Sequence, residues 1–244
     1  SFKKFRTIVS AKKLNATIIG CGNIGGFYDT PETKSIFTHA HAYKQNNNTN
    51  LTSCCDLDTH NIKKFKELWG KDIKEYKNID TLLKDESIDI VSLTTSTNSH
   101  YYILKKLLSN KNIKYIICEK PLVSTMKEFK SISKLMEKSG KKIIINFIRC
   151  FDPSIKRIKK LIASKELGKV LSFNSQFNKG IYHNGSHILS LIEYIMNDIN
   201  SISVSNKIIY EDDIYGNFTI KLKNNITGTI NNFYRSEERR VGKE

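Results

Sequence analysis

Between Ala16 and Asn146, short runs of consecutive apolar residues alternate with stretches whose apolar positions recur at helical spacing. The apolar runs are Thr17 to Ile19, Leu51 to Cys55, Ile88 to Thr94, Lys114 to Cys118 and Lys142 to Asn146. Such near-continuous runs suit strands buried on both faces of a parallel sheet. Helices are predicted from a Thr38 cap through Ala40, Ala42 and Tyr43, and from Thr59 to Trp69, closed by Gly70. Others follow near Leu82 and Leu83, over Tyr101 to Leu108, and from a Thr125/Glu128 capping box to Ser139, ended by Gly140. Phe27 to Phe37 contains Pro31, lacks helical period and reads as an inserted loop, and Thr94 to His100 reads as a second, polar loop.

The pattern changes after Asn146. Asp152-Pro153 opens a helix to about Ser164, Lys169 to Phe177 alternates like a half-exposed strand, and helical spacing returns over His187 to Met196. Ser201 to Ile209, Tyr215 to Leu222 and Ile226 to Tyr234 read as strands joined by polar turns such as Lys223-Asn224-Asn225. The expectation is an α/β protein: a doubly wound parallel sheet, then an α+β domain with a mostly antiparallel open sheet.

A length of 244 residues accommodates two domains with real cores. We place an N-terminal extension at 1–13, a nucleotide domain at 14–147, a substrate and oligomerisation domain at 148–234 and a non-native tail at 235–244. No apolar run approaches the length of a membrane span, and Ser1 to Lys13 is basic without the apolar core of a secretory signal. A cytoplasmic protein without a membrane partner is expected, and the missing initiator Met suggests processing or a fragment. The net charge of +16 is spread over nearly every predicted helix, with no Arg-rich stripe among aromatics, which argues against a nucleic-acid partner. A basic surface of this kind can gather phosphorylated or carboxylated substrates. Cys21, Cys54, Cys55, Cys118 and Cys150 lack Cys-x-x-Cys spacing and read as reduced core residues.

Candidate chemistry centres on Gly20-Cys21-Gly22-Asn23-Ile24-Gly25, directly after the first strand. Gly20 allows a tight turn, Gly22 lets a pyrophosphate approach bare backbone, and Gly25 lets the next segment pack closely on the strand. Asp56 stands 36 residues after Gly20, and setting aside the 11 residues of the inserted loop leaves 25. That approaches the spacing of about 20 for a carboxylate that binds a ribose 2′-hydroxyl. With no Arg nearby to attract a 2′-phosphate, NAD is favoured over NADP; the competing reading of Asp56 is helix initiation. Glu119, Lys120 and Pro121 follow a buried strand, where open α/β sheets bind ligands, although a solvated loop reads equally from charge alone. Trp69 reads as packing. His183 and His187 have the spacing of a metal pair, but Gly185 lies between them and no third ligand is evident, so no metal is expected.

At Glu119-Lys120-Pro121 the chain resembles the Gfo/Idh/MocA family of nicotinamide-dependent sugar and cyclitol oxidoreductases, over about Leu14 to Tyr234. The glycine turn, Asp56, Thr95 to His100, Glu119 to Pro121, Asn146 to Pro153 and His183 to His187 occur in the family's order. The resemblance implies a Rossmann domain, then an α/β domain whose open sheet covers the active site and often builds oligomer interfaces. It implies an NAD-dependent dehydrogenase of a sugar, sugar nucleotide or cyclitol, homo-oligomeric when full length. Lys120 matches the lysine that contacts the reacting oxygen, and His187 matches the catalytic histidine, with His183 assisting. Glu119 would hold the nicotinamide ribose, and Thr95 and His100 complete the cofactor set with Gly20, Gly22, Asn23, Ile24, Gly25 and Asp56. Read from their charge rather than from the resemblance, Arg149 and Lys179 are candidates for a substrate anion, with a solvated charge or a core salt bridge as the competing reading, and Asn184 is a further substrate-binding candidate.

Three positions depart from the family pattern. His183 stands where an Asp is common, Ser190 replaces a frequent Asp and Ser96 replaces a Pro. The segment His183 to His187 is similar to a His-Asn-Gly-Ser-His branch of the family. The missing acids leave a non-catalytic nucleotide sensor as the alternative function. The tail Arg235 to Glu244 resembles a translated sequencing adapter, so a truncated chain is expected.

Overall fold

The computed structural model describes residues 12–85, 87–210 and 213–233. The adapter-like tail and nearly all of the N-terminal extension lie outside the described residues. The chain divides into two compact units, Ser1–Asn146 and Phe147–Glu244.

The first unit holds β1 (Leu14–Ile19), β2 (Thr49–Cys55), β3 (Lys74–Tyr76), β4 (Ile90–Leu93), β5 (Tyr115–Cys118) and β6 (Lys142–Ile145). They form one parallel sheet in the order β3-β2-β1-β4-β5-β6. Alternate side chains of each strand enter opposite cores. Ile18 and Cys54 pack with α1 (His39–Gln45) and α2 (Thr59–Trp69), whereas Ile19 and Cys55 pack with α3 (Ile79–Leu82), α4 (Thr97–Ser109) and α5 (Met126–Ser139). Both faces are thus covered, and all four residues of β4 are buried. The strand order reverses between β1 and β4, so the crevice beyond their carboxyl ends is the topological switch point where such sheets bind ligands.

Local chemistry set most boundaries as expected. Thr38 caps α1 by accepting the His41 N–H, Asp58 caps α2, and the Thr125/Glu128 capping box starts α5. Gly140 ends α5 with φ 66°. Two expectations required correction. The loop after β4 stops at Ser96, because α4 starts at Thr97 rather than Tyr101, which places His100 within a helix. Its first turn is Thr-Asn-Ser-His, so no apolar residue advertises the helical period there. β3 was not anticipated, since Lys-Glu-Tyr at a sheet edge carries no apolar pattern.

The second unit contains a 3-10 turn (Ile148–Phe151), α6 (Pro153–Ala163), β7 (Ser172–Asn178), a π-helical turn (Ile181–Gly185), α7 (Ser186–Met196), β8 (Ile199–Tyr210), β9 (Asp213–Leu222) and β10 (Thr227–Phe233). Its sheet runs β7-β10-β9-β8, with β7 and β10 parallel and the other two pairings antiparallel. Phe218, Ile220 and Leu222 of β9 join Ile230, Phe177 and α7 residues Ile188, Leu189 and Ile192 in a separate core. A parallel doubly wound sheet followed by a mostly antiparallel one is the architecture the periodicity predicts. No helix among the described residues is long and apolar enough to cross a membrane.

Candidate functional site

The glycine turn is held by contacts that leave little choice of residue. Gly20 has φ +100°, and a Cβ there would lie 2.7 Å from the Thr94 carbonyl carbon. A Cβ on Gly25 would lie 2.2 Å from the Gly20 carbonyl oxygen. Thr94 Oγ1 donates toward the Gly20 and Ile19 carbonyls, at 2.7 and 3.0 Å, stitching the ends of β1 and β4 together. A Cβ on Gly22 would meet nothing within 4 Å, so this stretch of backbone faces open space that a pyrophosphate can use. The chain continues as a π-helical turn, Asn23–Phe27, which includes the candidates Asn23 and Ile24.

Asp56, at the carboxyl end of β2, is tied to this turn: its Oδ2 accepts the Cys21 N–H at 2.7 Å and its Oδ1 the Asp58 N–H at 2.9 Å. A carboxylate oxygen accepts two hydrogen bonds, so this fixed group suits a ribose hydroxyl as well. It shapes the turn ahead of α2, but the cap of that helix is Asp58, so helix initiation is not the role of Asp56. The residues present fit an adenine dinucleotide whose ribose keeps its 2′-hydroxyl.

Glu119 follows β5 and its N–H donates to Leu93. Its Oε1 accepts from Asn146 Nδ2 at 2.6 Å and from His39 Nε2 at 3.1 Å, and its Oε2 accepts the Lys120 N–H at 3.3 Å. Burial alone would raise its pKa, but the hydrogen bonds from His39 and Asn146 hold it below the usual glutamate range. An ionised Glu119 therefore sits beside Lys120 at the carboxyl edge of the sheet. His100 is buried, with Nδ1 3.0 Å from the Pro121 carbonyl and Nε2 3.1 Å from the Thr95 carbonyl. Both ring nitrogens face backbone, so His100 clamps the two loops rather than reaching a ligand itself. Thr95 accepts from Ser99 Oγ at 2.7 Å. Trp69 is buried and donates Nε1–H to the Gly26 carbonyl at 2.8 Å, a packing role as read from sequence.

Sequence reasoning missed the polar groups behind this edge. His39 joins Ser92 and Glu119, and Asp29 anchors the inserted loop. Asp29 accepts from Phe37 N, Thr38 N, Thr38 Oγ1 and His41 Nδ1. Burial opposes its charge, yet the Thr38, Phe37 and His41 donors outweigh it and lower its pKa. The available signal was Ser92, a polar residue within the apolar run Ile88 to Thr94.

In the second unit, Arg149 and Asn184 line one cavity of about 300 Å³, together with Gln176, Asn178, Phe177, Ile188 and Phe233. Asn184 Nδ2 donates to Asn178 Oδ1 at 2.7 Å. Lys179, the third substrate candidate, is absent from that lining; it turns the chain after β7 with φ 61°. His183 lies in the π-helical turn, whose backbone is held by Asp213 carboxylate bonds to Tyr182 N and His183 N. His187 lies in the first turn of α7 with its ring edge-on to Phe147, centroids 5.9 Å apart. Lys120 belongs to the first unit and His183 and His187 to the second.

Fold and site together define a dinucleotide-binding α/β protein. Residues 14–147, more than half of the chain, match the model of GFO_IDH_MocA, described as the oxidoreductase family with an NAD-binding Rossmann fold. The chain belongs to this family, and NAD is the cofactor its Rossmann unit serves. It is 23% identical over 197 residues to inositol 2-dehydrogenase of Salmonella typhimurium, covering 76% of this chain and 55% of that protein. The chain spans about half the length of the curated relatives it matches. Among solved structures, the WlbA dehydrogenase of Chromobacterium violaceum, in complex with NADH and UDP-GlcNAcA, superposes with a TM-score of 0.75 at 17% identity, covering 92% of this chain and 68% of that one. The myo-inositol 2-dehydrogenase of Lactobacillus plantarum gives a TM-score of 0.69 at 20% identity, covering 91% and 71%. At these identities the structural likeness speaks for the fold.

Proposed function

We propose that the chain is the NAD-binding unit and part of the substrate unit of a dehydrogenase that oxidises a secondary alcohol of a sugar, sugar nucleotide or cyclitol, or reduces the matching ketone. The observation that carries this reading is the ionised Glu119, held by His39 and Asn146 and followed directly by Lys120, on the same sheet edge as the glycine turn. NAD, when bound, supplies the hydride acceptor. Gly22 offers bare backbone to the pyrophosphate, Asp56 accepts from the adenosine ribose, and Glu119 accepts from the nicotinamide ribose. Loss of hydride from carbon requires loss of a proton from oxygen, and His187, as a histidine, is suited to take that proton near neutral pH. Lys120 stabilises the negative charge growing on the same oxygen. Arg149 and Asn184 supply charge and hydrogen bonds to the rest of the substrate, and Lys179 attracts anionic substrates from the surface. The cytoplasm and a homo-oligomer in the full-length protein complete the reading.

The inositol dehydrogenases among the relatives, and the UDP-GlcNAcA complexed with one structural neighbour, support the substrate class. Steady NADH production from a panel of inositols and sugar nucleotides, lost in Lys120→Ala while NADH binding persists, is the expected result. Binding without turnover across the panel would instead favour a nucleotide sensor. One observation favours that second reading: Ser190, in place of an acid, donates its hydroxyl to the His187 carbonyl at 2.9 Å, which supplies no carboxylate to a proton relay.

A further inference from the structure

We propose that His39 is a positioning residue for the cofactor: it holds the Glu119 carboxylate so that Oε2 faces the nicotinamide ribose. The inference rests on the proposed role of Glu119 and extends it to a residue outside the crevice motifs. His39 opens α1 beside the Thr38 cap and is only 9% exposed. Its ring bridges two elements, with Nε2 3.1 Å from Glu119 Oε1 and Nδ1 2.8 Å from Ser92 Oγ. Ser92 Oγ lies 2.7 Å from the Tyr43 hydroxyl, one turn along α1.

The donor order follows from the carboxylate end. An ionised carboxylate only accepts, so Nε2 carries the proton given to Glu119. With the ring proton on Nε2, Nδ1 accepts from Ser92, and Ser92 accepts from Tyr43. Burial pushes the Tyr43 phenol up to about 12, so it keeps the proton that this order requires. Tyr43, Ser92 and His39 form a buried relay of fixed dipoles that ends on one oxygen of Glu119. Asn146 Nδ2 donates to that same oxygen. Oε1 thus takes both side-chain donors, while Oε2 takes only a long 3.3 Å backbone bond among those described. Oε2 is the atom we assign to the ribose hydroxyl. A half-buried carboxylate without these donors would rotate or gain a proton, and either change removes the acceptor.

Glutamine at 39 can place an amide donor near the Nε2 position, whereas asparagine reaches only as far as Nδ1, toward Ser92. The full chain carrying His39→Gln, His39→Asn or His39→Leu is therefore titrated with NADH by calorimetry, with thermal unfolding recorded alongside. His39→Asn and His39→Leu are expected to weaken NADH about tenfold, and His39→Gln no more than about threefold. In a Glu119→Gln background, His39→Asn is expected to add less than about twofold, since the group it positions is gone. Equal weakening by Asn and Gln, or the same loss with and without Glu119, would overturn the proposal in favour of a purely structural histidine. If His39→Leu fails to fold, the Asn and Gln pair decides alone. Failure of the wild-type chain to bind NADH overturns the Glu119 reading first, and is seen before any variant is compared.

Discussion

Strands β4 and β8 show how differently the two units treat their residues. β4 is buried at all four positions between two helical layers, while every residue of β8 after Ile199 is exposed at the edge of a sheet backed on one face. The same contrast holds for the candidate site residues. In the first unit, Asp56 and Glu119 are each fixed by bonds to neighbouring loops or helices. In the second, Arg149, Asn184 and Lys179 lie on turns, and two of them border an open cavity. On the proposed reading, a cofactor of constant structure meets a preorganised edge, whereas the groups assigned to a variable substrate are carried on turns whose residues can change at little cost to the fold.

The sharpest way to break this contrast is at Gly25. Gly25→Ala forces a Cβ into the Gly20 carbonyl and should cost about 3 kcal/mol or more with loss of NADH binding, read by denaturant unfolding and calorimetry. A variant as stable as the parent would mean that the turn is not rigid.

Asp29→Asn comes next, with a loss of about 2 kcal/mol expected from the weakened set of four donors. The folded-state pKa of Asp29 is lowered, so its stabilisation is complete above the ordinary aspartate value and fades as pH falls through the lower folded value. Glu119 follows the same sign. Unfolding scans should therefore show the parent losing its advantage over Asp29→Asn as the solution is acidified below about pH 4.

The smallest effect is chemical. Cys21, Cys54, Cys55 and Cys118 are buried, and burial pushes the Cys55 and Cys118 thiols up to about 12, while Cys150 in the second unit is partly open. A thiol reagent should modify Cys150 quickly in the folded chain and the other four only on unfolding. Rapid reaction of several thiols would show the first unit to be looser than its packing.

Legibility in the sequence followed the same division. Strands such as Ile88 to Thr94 and the caps at Thr38 and Thr125 were readable because burial on both faces and orphan helix N–H groups restrict residue choice locally, whereas the α2 cap falls on Asp58 rather than Asp56. The glycine turn was readable from the spacing of its three glycines after a strand, and Asp56 from its place at the carboxyl end of β2. His39, Ser92 and Asp29 were not, since their meaning lies in partners 53 to 80 positions away or inside an irregular loop. β3 and the start of α4 were hidden by polar residues at an edge and in an exposed first turn. The cavity of Arg149 and Asn184 depends on how β7, α7, β10 and two turns meet, which no local pattern encodes.

The central claim is that the first unit binds NAD through the glycine turn and Asp56. Titrating the full chain and its Asp56→Ala variant with NADH and with NADPH tests it directly. The account predicts saturable NADH binding about tenfold or more tighter than NADPH, a gap of ~1.4 kcal/mol, and loss of that preference in Asp56→Ala. Equal affinity for the two nucleotides in the parent chain, or an unchanged preference in the variant, would contradict it.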